Sequence, residues 1–345
     1  MKRILLFLLA LILLSAPQAA RASIAIDETN FPDENFRQYL LSQYYGEDGD
    51  LTNLEIRAVT TLYLNDKGIK SLEGIDAFTD LKELYCEKNQ LTELDVSGLT
   101  VLEELSCGNN QLKSLNVSGC RSLKSLGSGN NRLTKLDVSK CTRLEQLGCR
   151  KNQLTTLDVR KCKNLFNLIC DGNQLTELNV SGCSALEMLI CQDNQLTELE
   201  LPGCTKLRSL LISRNKLTSL DVSGATGLMY IYCDQNRLRG EGMDAFVASL
   251  PNVKEGELNV YEEEAGDWNA ISYGQVDAAR AKGWTVQSRF EGEWLEYDGE
   301  DPESVAPVRS EKADAPWHDL NGRRLNGRPN HKGLYIQDRK IKMIK

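Results

Sequence analysis

The chain of 345 residues carries 41 Lys and Arg against 49 Asp and Glu, a net charge of −8, and 41% of its residues are hydrophobic. An acidic chain has no general attraction for nucleic acid, and at this length a single globular core approaches its size limit. Its two histidines, His318 and His331, both lie near the C-terminus, which removes a His-based triad, a zincin helix and most zinc sites from the remainder.

Residues 1–22 read as a secretory signal. Lys2 and Arg3 precede an apolar run from Ile4 to Leu14, and Ala20-Arg21-Ala22 offers cleavage before Ser23. The run is too short to span a bilayer, no Cys follows it to carry a lipid, and no later stretch is apolar enough for a transmembrane segment. Removal leaves 38 basic against 49 acidic side chains, net −11.

Residues 23–58 are expected to form a helical N-terminal cap. Pro32 at a first-turn position and apolar Phe36, Leu40 and Leu41 predict a helix within Phe31 to Tyr45. A second follows Thr52, which forms a T-x-x-E capping box with Glu55. The stretch to Glu55 partly matches a calcium loop through Asp48, Gly49, Leu51 and Glu55. Tyr44 and Gly46 stand where the first and third ligands belong, so a structural turn is the reading and no metal is expected.

Residues 59–240 repeat. A divergent coil, Val59 to Asp80, supplies Leu62, Leu64, Ile69 and Leu72. The unit Leu81 to Val101 then recurs every 21 residues: its leucine returns at Leu102, Leu123, Leu144, Leu165, Leu186, Leu207 and Leu228. Its asparagine forms the unbroken column Asn89, Asn110, Asn131, Asn152, Asn173, Asn194, Asn215 and Asn236. The pattern L-x-x-L-x-C-x-x-N-x-L-x-x-L-x-V is that of a leucine-rich repeat. Leu84 and Cys86 alternate with Glu83, Tyr85 and Glu87 at strand period, so each coil lays one short strand beside the next. The predicted fold is an α/β repeat solenoid, a right-handed coil with a parallel concave sheet, a helical N-terminal cap and an α/β C-terminal cap. A buried Asn amide supplies donors and an acceptor to the backbone where each coil turns away from its strand. Leu94 and Val96 suggest a further extended segment on the convex side.

The eleven cysteines fall into two inward columns: Cys86, Cys107, Cys149, Cys170, Cys191 and Cys233, then Cys120, Cys141, Cys162, Cys183 and Cys204. Coils stacked ~4.8 Å apart with parallel side chains hold Cβ atoms farther apart than the ~3.8 Å a disulfide prefers. Buried free thiols acting as small hydrophobes are therefore expected.

Residues 241–297 are read as the C-terminal cap. Met243, Phe246, Val247 and Leu250 have helical spacing and stop at Pro251, Leu258 to Tyr261 reads as a strand, and Ser272 to Lys282 is a capped helix leading through Gly283 to a strand at Trp284. Residues 298–316, with Pro302, Pro307 and Pro316, read as a flexible linker. Residues 317–345 form a small β-like tail with eight Lys and Arg against Asp319 and Asp338.

The outward strand positions line the concave face, the usual binding surface of a solenoid. Small and acidic in the first half, they become apolar in the second: Ile169, Met188, Ile190, Leu211, Tyr230 and Tyr232 form a contiguous patch, rimmed by Arg150, Asp171, Gln192, Arg214 and Asp234. Such a patch points to contact, although strand preference or cover by the chain's own C-terminal segment gives the same pattern. No G-x-S-x-G elbow or phosphate loop occurs, so no enzyme activity and no cofactor are expected. The alternative reading is a glycan-binding or glycan-hydrolysing protein using the stacked carboxylates Glu83 and Glu104.

The repeats carrying NQLTELDVSG at 89–98, the segment FPDENFRQYL at 31–40 and the KGW of the cap at 282–284 resemble internalin-like leucine-rich-repeat proteins secreted by Bacteroidetes. The resemblance covers residues 24 to about 297 and departs from the pattern in having no immunoglobulin-like domain after the repeats and no Gram-positive wall anchor. It implies a secreted or outer-surface protein that binds a protein or glycan on a host or bacterial surface; separately, the chain is expected to be a monomer. The final DLNGRRL and KGLYIQDRKIKMIK resemble the end of type IX secretion sorting signals.

Overall fold

The computed structural model describes residues 23–262, 269–290, 293–299, 317–318, 333–337 and 340–344. The predicted signal at 1–22 and the linker beyond residue 299 lie outside them. The chain divides into two units, Met1–Pro302 and Glu303–Lys345.

Each repeat contributes a three-residue strand whose central side chain points inward. The strands Glu83–Tyr85, Glu104–Ser106, Ser125–Gly127, Gln146–Gly148, Asn167–Ile169, Met188–Ile190, Ser209–Leu211 and Tyr230–Tyr232 pair in parallel without a register slip. Leu84, Leu105, Leu126, Leu147, Leu168, Leu189, Leu210 and Ile231 thus stack as one buried row. Thr61–Tyr63 precedes this array; Gly256–Glu262 and Trp284–Phe290 continue it in parallel; Glu293–Glu296 closes it antiparallel. Among the described residues the concave sheet has twelve strands. The C-terminal cap therefore extends the sheet by three strands.

The asparagine column supplies the turns. Asn110 Nδ2 donates to the carbonyls of Cys107 at 3.1 Å and of Cys86, one coil back, at 2.9 Å, while its Oδ1 accepts the Leu91 N–H at 3.0 Å. The same three bonds recur at Asn131, Asn152, Asn173, Asn194, Asn215 and Asn236. Asn89 bridges to the divergent first coil through the Ile69 N–H and the Leu64 carbonyl. The sharp bend that brings these groups together places the preceding residue in the left-handed region at Lys88, Asn109, Asn130, Lys151, Asp193, Arg214 and Gln235, with Gly172 the one glycine of the series.

On the convex side, strands form at two places, Glu93–Asp95 with Ser114–Asn116 and Thr156–Asp158 with Glu177–Asn179. In both, an Asn lies opposite an Asp, and Asn116 Nδ2 donates to Asp95 at 2.9 Å. Asp137, on the coil between these two pairs, lies outside any strand.

The N-terminal helix is Glu34–Leu41. Its N-cap is Asp33, so Pro32 lies just outside the helix instead of in its first turn. The Asp33 carboxylate caps the Phe36 N–H at 2.9 Å and also accepts the N–H groups of Lys70 at 2.8 Å and Ser71 at 3.2 Å, fixing the cap to the first coil. Phe31, Phe36 and Phe78 pack as an aromatic cluster over the open end of the core. The second helix, Asn53–Ala58, carries the Thr52–Glu55 capping box, so the Glu55 carboxylate is held by Thr52.

At the other end, helices Glu241–Ser249 and Tyr273–Ala281 pack together. Lys282 Nζ donates to the carbonyls of Val247, Ala248 and Leu250, satisfying the C-terminus of the first helix. Gly283 has φ +89°, and a Cβ there would lie 2.0 Å from the Val253 carbonyl oxygen, so only glycine fits. The separate unit contains a three-stranded antiparallel sheet of Trp317–His318, Gly333–Gln337 and Lys340–Ile344.

Candidate binding face

The six apolar outward residues occupy neighbouring positions in register. Ile169, Ile190, Leu211 and Tyr232 follow one another across four strands, and Met188 and Tyr230 stand in the column beside them. Met188 is 38% and Tyr230 39% exposed, with the other four partly exposed. At the strand spacing of ~4.8 Å the patch is roughly 15 Å across. Tyr232 is also engaged within the chain.

The rim differs from expectation at Asp234. Alternation directs it outward, yet it is only 4% exposed and accepts a hydrogen bond from Ser213 Oγ. The sheet continues past its coil into Gly256–Glu262, with the Cys233 N–H bonded to the Asn259 carbonyl at 2.8 Å, so this coil is interior and not a free end. Arg150 is exposed and Asp171 partly so. Burial raises the Asp171 carboxyl above its ordinary pKa, opposed by a hydrogen bond to its own backbone and by Arg150. Arg214 pairs with Asp193 through Nε and through Nη2, the latter at 2.9 Å. Both residues occupy the left-handed position of successive coils, and that shared conformation aligns their side chains.

Phe166, 37% exposed, immediately precedes the strand that carries Ile169. The sequence reading missed it; its signal is that it interrupts the charged column Lys82, Glu103, Lys124, Glu145. Asn269 is a further asparagine outside the periodic column: its Nδ2 donates to the Cys233 and Val260 carbonyls and its Oδ1 accepts the Leu238 N–H. It lies beyond the cap helix, out of step with the 21-residue period.

All eleven cysteines are buried free thiols. Ser128 and Ile212 fill the missing rungs of the first column. In the second, Cys120 Sγ donates to the Val96 carbonyl at 3.2 Å and Cys183 Sγ to that of Val159 at 3.4 Å. Burial pushes the thiols of Cys107, Cys149, Cys120 and Cys162 up to about 12. Among the described residues, no group of His, Cys, Asp or Glu side chains is arranged to hold a metal ion, and no helix is long and apolar enough to cross a membrane.

No family model matches the chain, and neither does any curated protein. Among solved structures, the functional domain of InlJ from Listeria monocytogenes, which includes a cysteine ladder, aligns with a TM-score of 0.57 at 25% identity, covering 78% of this chain and 62% of that one. A leucine-rich-repeat protein of Leptospira interrogans aligns with a TM-score of 0.56 at 23% identity, covering 68% of this chain and 62% of that one. The chain has the leucine-rich-repeat solenoid fold. It spans less than two thirds of either neighbour's length. Where the Listeria solenoid has a cysteine ladder, this leucine-rich-repeat chain has two cysteine columns, one behind the concave strands and one at the turn that follows the convex segment.

Proposed function

We propose that this is a secreted or cell-surface leucine-rich-repeat protein that binds a protein on a host or bacterial surface through the second half of its concave face. The observation that carries the reading is the in-register patch of Ile169, Met188, Ile190, Leu211, Tyr230 and Tyr232, apolar at its centre and bordered by Arg150, Asp171 and the Arg214–Asp193 pair. An apolar centre with a polar rim is the anatomy of a protein interface, and a stacked parallel sheet presents it on a rigid surface. The fold shared with the Listeria solenoid supports an interaction scaffold.

On this reading, residues 1–22 direct export and the basic tail at 317–345 acts as a type IX-like sorting segment joined by the linker at 298–316. Deleting Trp317 to Lys345 then leaves the solenoid folded and removes it from the cell surface. Unchanged surface labelling of the truncated protein would refute that role. For the binding face, Leu211→Asp in the full chain should abolish capture of a surface partner that wild type retains, whereas Glu177→Lys on the convex side should not.

A further inference from the structure

The first half of the concave face carries a chemically different surface. Tyr63 and Tyr85 occupy paired positions on adjacent strands, and their rings stack with centroids 5.3 Å apart and planes 3° from parallel. Tyr63 is 63% exposed. Since it covers one face of the Tyr85 ring, the other face looks along the sheet toward Ser106.

Carboxylates surround that ring. Glu83 accepts the Thr61 hydroxyl at 3.3 Å and lies 3.5 Å from the Tyr85 hydroxyl. Glu104 is its register partner on the next strand, and Glu87 accepts the Ser106 hydroxyl at 2.8 Å. Burial, then the hydrogen bond and charge of Glu104, push the Tyr85 phenol up to about 12, so the ring stays neutral. No Lys or Arg occupies an outward strand position between Thr61 and Gly148; the next such column residue that is basic is Arg150. Of the lysines flanking the sheet, Lys124 is already paired with Glu103 at 2.6 Å.

Past Ser106 the floor of the face is bare, because Gly127 and Gly148 follow in the same column. Neither has a positive φ, and an added Cβ would meet nothing closer than 3.4 Å at Gly127 or 3.9 Å at Gly148. Backbone conformation and crowding therefore do not require glycine, while a strand glycine weakens the strand. The two bare strands open a notch roughly 10 Å wide beside Tyr85.

We propose that this notch receives an arginine side chain from an extended segment of a protein partner, its guanidinium stacked on Tyr85 and bonded to Glu87 and Glu104, with the partner backbone lying over Gly127 and Gly148. Charge complementarity selects a cation, since Glu87 and Glu104 lie on the Ser106 side of Tyr85 and no base among the strand positions balances them. The combination of an aromatic face with carboxylates suits a planar, weakly hydrated guanidinium better than an ammonium. The site rests on residues distinct from the apolar half of the face and stands or falls separately from it.

The test uses the full chain titrated with a blocked Gly-Gly-Arg-Gly-Gly peptide and with its citrulline counterpart, read by calorimetry at low ionic strength. The arginine peptide should bind about tenfold more tightly than the neutral one, and added salt should weaken it. Glu104→Gln and Gly127→Val should each lower affinity about threefold to tenfold without lowering the thermal midpoint, while Glu177→Gln on the convex side should leave affinity as it is. If Gly127→Val lowers the midpoint, Glu87→Gln and Glu104→Gln decide. Equal binding of the citrulline peptide, or wild-type affinity in both Gln variants, would overturn the proposal. So would Tyr85-dependent binding of a neutral β-glucan oligosaccharide by a protein that ignores the arginine peptide.

Discussion

The backbone N–H of Leu154 donates to Asn173 Oδ1 at 3.1 Å across nineteen residues of sequence. The same side chain donates to the carbonyls of Cys149 and Cys170 on successive coils. One amide thus closes its own turn and locks it to the coil before. Asn173→Ala leaves the buried Leu154 N–H without a partner, while the Cys149 and Cys170 carbonyls keep only the bonds from Asn152 and Asn194, and should destabilise the protein by about 1 to 3 kcal/mol. Urea denaturation checks this against exposed Gln174→Ala, expected within about 0.5 kcal/mol of wild type. Equal midpoints for the two variants would mean the column contributes nothing beyond packing.

The left-handed residue before each asparagine carries its own cost. Lys151 has φ +51°, a conformation that costs an L-residue with a Cβ about 1 kcal/mol or more. Lys151→Gly should be neutral or stabilising by up to about 1 kcal/mol, after the added entropy of the unfolded chain is counted. Lys151→Val should lose at least about 1 kcal/mol, because a β-branched side chain fits that region worst. Thermal unfolding of the pair decides, and a Val variant as stable as Gly would refute the assignment.

How much could be read from the sequence follows from which interactions repeat. The Leu and Asn columns were legible because every coil buries the same positions and needs the same bonds. Asn269 was not, because the cap helix intervenes and shifts it out of period. The Asp193–Arg214 pair was hidden because an alternation rule places strand residues only, and both sit at left-handed bends. Asp234 was misplaced on the rim because the strand pattern does not disclose that the sheet runs on through Gly256–Glu262.

Alkaline pH should unfold this protein early. Ten thiols have a folded pKa raised above the ordinary value of 9.0, burial being the first cause in each. Above pH 9 the unfolded chain loses these protons while the folded chain keeps them, so the unfolded state binds fewer protons and stability falls as pH rises. Each thiol can remove up to about 1.4 kcal/mol per pH unit between pH 9 and its folded pKa. Thermal midpoints should be level below pH 8 and drop steeply by pH 10, with thiol reagents reaching few groups in the folded chain and close to all eleven in denaturant. A level midpoint through pH 10 would contradict the burial of both columns.

Asn259 lies beside Tyr232 in the sheet and is fully buried, and among the described residues neither its Oδ1 nor its Nδ2 has a hydrogen-bond partner. An apolar side chain of similar volume removes that unmet demand. Asn259→Leu should stabilise the fold by about 1 to 3 kcal/mol. Measured by denaturant midpoint at constant slope, a loss of stability would show that the amide is satisfied in solution.

On the proposed function, the apolar half of the concave face binds a protein. Because Tyr232 is engaged within the chain, the cleaner probes are Leu211 and Tyr230, the latter 39% exposed. The decisive measurement is the dissociation constant of the captured partner for full-length wild type, Tyr230→Ala and Leu211→Asp, with folding stability determined in parallel. Tyr230→Ala should lose about 2 kcal/mol in binding, the scale of an interface anchor, with stability changed by only about 0.5 kcal/mol, and Leu211→Asp should show no measurable binding. Wild-type affinity in both variants would contradict the proposed function and place the interface on another surface.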